Sequence, residues 1–123
     1  MPTAISALYG VGSYIHGGVY EQTWNATVSG RGHPMAAPHL PDKNIQLQGP
    51  TGGTSRIIME GTNGSVASTA TWITLRSVTD GAIDSTNVTG GLFFQPRGNP
   101  RMIRPHFETV TAGKTLSVIV IAK

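Results

Sequence analysis

From residue 22 to 28 apolar and polar side chains alternate. Trp24, Ala26 and Val28 fall on one side and Thr23, Asn25 and Thr27 on the other, the two-residue period of a half-buried strand. The same period returns where Ile45 and Leu47 alternate with the amides Asn44, Gln46 and Gln48. Residues 55–60 place Ile57 and Met59 together, residues 69–78 carry Trp72, Ile73 and Leu75, and residues 102–110 set Ile103 with Phe107. Residues 83–95 are looser, with Val88 ahead of Leu92-Phe93-Phe94, and 116–121 is a nearly continuous apolar run suited to a central strand. Turn chemistry separates these segments: GPTGG at 49–53, Asp80-Gly81, residues 96–100, and Asn63-Gly64, a pair favoured in tight hairpins. Residues 31–44 hold Pro34, Pro38 and Pro41 with no period, which predicts a long ordered loop. Short strands at roughly ten-residue spacing with no helical pattern predict an all-β antiparallel sandwich, jelly roll or barrel.

Residues 1–20 stand apart from this body. They contain no Lys, Arg, Asp or Glu, and intersperse Ile5, Leu8, Tyr9, Val11, Tyr14, Ile15, Val19 and Tyr20 with glycine. Two readings compete: an irregular first strand of the domain's own core, or an extended N-terminal arm that lies on a neighbouring subunit. The division taken forward is an arm over 1–20 and one sandwich domain over 21–123. Tyr9, Tyr14, Ile15 and Tyr20 are then candidate partner contacts.

At 123 residues the chain is one domain that can bury enough surface to fold unaided. With no Cys it can form neither a disulfide framework nor a Cys-ligated metal site. Only 12% of residues are charged, about half the ~25% usual for soluble domains. The abundance of Thr, Val and Ile argues against disorder. A β-rich chain with so little charge has little to keep strand edges apart, which points to a surface covered by partners. The net charge of +3 is mild. No apolar run reaches the length of a membrane span. The first twenty residues lack a basic n-region, and their glycines interrupt the apolar stretch a signal peptide needs, so the sequons at Asn25, Asn63 and Asn87 are expected to be chance matches.

Catalytic and cofactor chemistry finds no constellation. His33 and His39 lie in the proline-rich loop, His16 and His106 elsewhere, and a metal site needs three or four converging ligands. Glu21, Asp42, Glu60, Asp80, Asp84 and Glu108 could pair in principle, but none sits in an aromatic-rich segment suited to sugar. Residues 49–55 are glycine-rich but lack a phosphate-binding lysine and open no helix, and Gly10-Val11-Gly12 fails as a dinucleotide fingerprint likewise. The expectation is no enzyme, no cofactor and no metal. Arg97, Arg101 and Arg104 form the densest basic cluster, readable as solvated charge or as planar donors to carboxylates of a partner protein. Nucleic acid ranks below both, because aromatic residues are not interleaved with the basic ones. Trp24 and Trp72 are both expected to be core residues.

Two stretches carry a resemblance. One is Arg56-Ile57-Ile58-Met59-Glu60-Gly61-Thr62-Asn63-Gly64 followed by Thr71-Trp72-Ile73-Thr74-Leu75. The other is Asn99-Pro100-Arg101-Met102-Ile103-Arg104-Pro105 with the closing strand over 115–121. Together they resemble head decoration or cement proteins of tailed bacteriophages, with the likeness covering residues 55–122. The hairpin half is also similar to sugar-binding sandwiches of the discoidin type. Here, however, Asn63-Gly64 replaces Asn-Asp-Gly, and the loop before Trp72 is longer. The phage resemblance implies a jelly-roll-like sandwich without catalysis, a major capsid protein as partner, and homo-oligomers. It also implies a place on the capsid surface after synthesis in the host cytoplasm, with neither nucleic acid nor membrane bound. The alternative is a carbohydrate-binding or tail-associated adhesion module, which would need exposed tryptophans.

Overall fold

A computed structural model describes residues 10–49, 54–79, 81–86 and 90–123. Among them run ten strands: β1 (Val11–His16), β2 (Val19–Ala26), β3 (Gly30–Arg31), β4 (Lys43–Gly49), β5 (Ser55–Thr62), β6 (Ile73–Thr74), β7 (Asp84–Thr86), β8 (Gly90–Phe94), β9 (Met102–Val110) and β10 (Leu116–Ala122). Sheet A has the order β1-β2-β10-β4-β8, and sheet B the order β3-β9-β5-β6, with β7 also pairing β5. Every pairing is antiparallel, and the pairs nest: β2 with β10, β3 with β9, β4 with β8, β5 with β7. A long double strand rolled up in this way is a jelly roll. The expected all-β sandwich is what the chain forms.

Alternation supplies the core between the sheets. Trp24, Ile45, Leu47, Ile57, Met59, Ile83, Phe107, Val118 and Val120 are fully buried. The apolar run at 116–121 becomes β10, the middle strand of sheet A. The Trp24 indole N–H, which burial would otherwise leave without a partner, donates to the His33 carbonyl at 3.0 Å. Pro105 sits inside β9, between two neighbours, where a proline is normally excluded. Register explains it. Opposite Pro105, Met59 turns its N–H to the Ile83 carbonyl and its carbonyl to the Leu75 N–H, away from β9. On the other side Gly32 only donates, to the Pro105 carbonyl at 2.8 Å, so no bond there needs the missing N–H. A Cβ on Gly32 would come within 2.7 Å of the Pro105 ring and 2.9 Å of Trp24, so this crossing requires glycine.

Three local expectations change. The segment read as an arm folds back at residues 11–16 as β1, the edge strand of the domain's own sheet A, paired with β2. Its glycines serve that contact: a Cβ on Gly12 would meet the Tyr20 hydroxyl and Gln22. Residues 1–9, with Tyr9, lie outside the described residues. Asn63-Gly64 is no tight hairpin, because β5 pairs with β6 only after the excursion 63–72, in which the Val66 carbonyl accepts the Thr69 and Ala70 N–H groups. The proline-rich segment begins with β3 and sends Met35 and Ala37 into the core.

Candidate partner-binding surfaces

Lys43 shows how the proline-rich segment is held. It falls in phase with Ile45 and Leu47, is 4% exposed, and donates to the carbonyls of Ala37 and Leu40 and to Asn99 Oδ1 at 3.1, 2.8 and 2.7 Å. Asn99 Nδ2 in turn donates to the Pro38 carbonyl. Burial depresses the Lys43 pKa, and three acceptors take the place of a counter-ion. The lysine ties the loop to the turn before β9.

The tyrosine group is brought together in part. Tyr14 on β1 and Tyr20 on β2 stack edge-to-face, centroids 5.2 Å apart. The Tyr14 hydroxyl meets His39 Nε2 at 3.3 Å, and the Tyr20 hydroxyl donates to Gln22. Val11, Tyr14 and Ile15 are exposed. The arginine group is not brought together. Arg97 lies in the turn after β8 and lines a cleft of about 360 Å³ with Arg76, Asn63 and Ile73. Arg101 is exposed, its main-chain N–H held by Asn63 Oδ1. Arg104, only 15% exposed at its side chain, is spent inside the molecule. Its Nε donates to Glu60 at 2.8 Å, and its guanidinium lies 3.9 Å from the centre of the Trp72 ring. Arg104 is therefore withdrawn from the candidate contacts. Trp72 is half-buried rather than core, with its indole N–H on the Ala67 carbonyl and Arg104 over its face.

These contacts belong to a wider pattern on the outer face of sheet B. Glu60 stands opposite Arg104, 3.7 Å from Arg31 and 4.0 Å from His106. Beside it Arg56 is held by both carboxylate oxygens of Asp84 and reaches Glu108 at 3.5 Å. Arg56 holds the Asp84 carboxyl below its ordinary range, and burial together with Arg31 depresses His106. Three arginines thus meet three carboxylates, and the face neutralises itself.

Sheet A presents the opposite surface. One row crosses all five strands: Val11, Thr23, Ile119, Gln46 and Phe93, each paired with the next. Val11 is 75% and Phe93 68% exposed. Neighbouring rows add Asn25, Ser117 and Gln48, then Ile121 and Asn44. Among the described residues of the five strands, Glu21 is the one charge on this outer face, and Asp42 and Lys123, paired main chain to main chain, flank one end of it. Sequence reading missed both faces as units, because strand pairing between residues as distant as Glu21 and Ile121 assembles them.

No family model matches the chain. No curated protein matches it either. Among solved structures it is similar to the SPBc2 prophage-derived protein YomS, with TM-score 0.58 and 12% identity over 85% of this chain and 95% of that one. At this identity the likeness is one of fold. Looser likenesses to a cupin domain from Bordetella pertussis (TM-score 0.45, 10% identity, 94% of each chain) and to the K1 adhesin domain of Lys-gingipain from Porphyromonas gingivalis (TM-score 0.41, 10% identity, 85% of this chain and 73% of that one) add nothing to it.

Proposed function

We propose that this chain is a non-enzymatic structural protein of a phage particle that lays the outer face of sheet A on the capsid shell and bridges adjacent shell subunits. The observation that carries the reading is the composition of that face, a broad five-stranded surface whose strands carry one charge, Glu21, with Asp42 and Lys123 at one end and exposed apolar residues at both borders. Such a surface costs little to desolvate and offers amide and hydroxyl groups for hydrogen bonds, as a stable protein interface requires. The resemblance of residues 55–122 to head decoration proteins supports the same reading, and so does a shared fold with a prophage-derived protein. In this role the protein is made in the host cytoplasm and ends on the capsid surface, with the major capsid protein as partner and further copies of itself beside it. It needs no cofactor, nucleic acid or membrane. Neither tryptophan offers a carbohydrate-binding role the exposed platform it would need, since Trp24 is buried and Arg104 covers Trp72.

The test is quantitative mass spectrometry of purified intact particles. A fixed ratio to the shell protein, with copies in proportion to shell subunits, is expected. Absence from particles, or the few copies of a tail or connector component, would overturn the proposal.

A further inference from the structure

We infer that two copies of this chain join edge to edge through β8, in a two-fold dimer that extends sheet A across the axis. This deepens the proposed structural role by naming the surface on which the protein meets itself.

Among the described residues, sheet A ends in β1 on one side and β8 on the other. Its five strands alternate in direction, so these two edges run the same way. Joining β8 of one copy to β1 of the next would make a parallel pair, whereas joining like edges across a two-fold axis continues the antiparallel pattern. Of the two like-edge pairings, β1 is the poorer. Its register shifts between Tyr14 and His16, and the Tyr14 ring and hydroxyl are engaged by Tyr20 and His39. β8 pairs with β4 without a shift and carries no charge, proline or bulge of the kind that protects natural sheet edges. Leu92 and Phe93 are 41% and 68% exposed. The free edge ends at Phe94, because the next residues bond to 76–78.

The sequence of β8, Gly90-Gly91-Leu92-Phe93-Phe94, is self-complementary about its middle residue. With the axis at Leu92, full-length antiparallel pairing sets Gly91 opposite the partner's Phe93 and Gly90 opposite the partner's Phe94. Each ring meets a position without a side chain, an arrangement in which aromatics cover edge glycines. The fold itself does not call for glycine at 91. Its φ is not left-handed, and a Cβ there would make only ordinary contacts, the nearest at 3.6 Å with Gln46. A partner's ring above it gives the glycine a reason.

A five-residue edge falls short of the ~1,600 Å² of a standard interface, so association in the micromolar range or weaker is expected. The experiment is sedimentation equilibrium of the full chain, alone, over a wide concentration range. The wild type should dimerise reversibly. Phe93→Glu should weaken the dimer by on the order of tenfold or more, and Gly91→Lys combined with Phe93→Glu should restore it, because the two new charges of opposite sign face each other across the axis. Since the chain has no Cys, Leu92→Cys should give a disulfide-linked dimer on mild oxidation. A wild type that stays monomeric even at millimolar concentration overturns the inference. So does a dimer indifferent to Phe93→Glu and abolished by Val11→Lys, which would place the contact on β1. No shell is present in this measurement, so its failure leaves the proposed shell binding standing, and failure of shell binding leaves the dimer standing.

Discussion

The outer faces of sheets A and B share one strand geometry and carry opposite chemistry. On sheet B, Arg31, Arg56 and Arg104 meet Glu60, Asp84 and Glu108 within the face itself, and Trp72 lies under a guanidinium. Its charges are already paired, so a partner landing there would have to break or desolvate existing pairs. On sheet A the row from Val11 to Phe93 has no ionic partner to lose. The described charges of this sparsely charged chain are thus concentrated on the outer face of sheet B, and few stand on that of sheet A.

The core shared by both faces sets the largest effect, and the two tryptophans measure it. Trp24 fills the space between the sheets with no exposure, so Trp24→Ala should lower stability by about 3–5 kcal/mol. Trp72 lies outside that core and keeps part of its surface in water, so Trp72→Ala should cost less, about 1–2 kcal/mol. Urea melts of the two variants give the comparison directly. Equal losses would mean that the outer face of sheet B is as much a core as the interior.

Much of this architecture was legible in the sequence, for a local reason. A two-residue period assigns side chains to faces without knowledge of the neighbouring strand, so Ile45 with Leu47, Ile57 with Met59, and Ile103 with Phe107 were placed inward correctly. What period could not give was pairing. Arg104 and Glu60 lie 44 residues apart and meet through the register of β5 and β9, so the arginine read as a partner contact is an internal one. Lys43 is in phase with two buried residues, and the acceptors that admit its charge there come from the proline-rich segment and from Asn99 of another loop. The need for glycine at position 12 appears only in the fold, where β2 approaches it closely. The self-complementarity of residues 90–94 stood in plain view but meant nothing until β8 proved to be an edge.

Acid should act on sheet B next. Two groups on that face, Asp84 and His106, have folded pKa values below their ordinary values of 3.8 and 6.5. A depressed pKa means that the unfolded chain takes up the proton first. Each group's contribution is therefore present above its ordinary value and lost as pH falls through the folded one. Stability should decline in two stages, below about 6.5 for His106 and below about 3.8 for Asp84. Asp84→Asn should flatten the lower stage and cost about 1 kcal/mol or less at neutral pH, since both members of the Arg56 pair are substantially exposed. Denaturant midpoints between pH 8 and pH 3 measure it. A variant as acid-sensitive as the wild type below pH 4 would remove Asp84 from the account.

The smallest effect on stability should accompany the largest on binding. Thr23 and Ile119 are neighbours in the middle of the sheet A row and partly exposed, and the Thr23 hydroxyl makes only a long hydrogen bond, 3.5 Å, to Glu21. Thr23→Lys should change stability by no more than about 0.5 kcal/mol, because it creates no cavity and breaks no network. The same substitution places an ammonium in the centre of the proposed interface, where it must be desolvated against a shell that offers it no matched acid, and binding to shells should fall steeply. Arg56→Gln on sheet B is the counterpart: a modest loss of stability with unchanged binding. Salt separates the two faces further. Wild-type attachment through so sparsely charged a face should change little between low and moderate ionic strength, because there are few interfacial charges to screen. If Thr23→Lys bound shells as well as the wild type while Arg56→Gln did not, sheet B would be the docking face, and its paired charges would have to open to reach the shell.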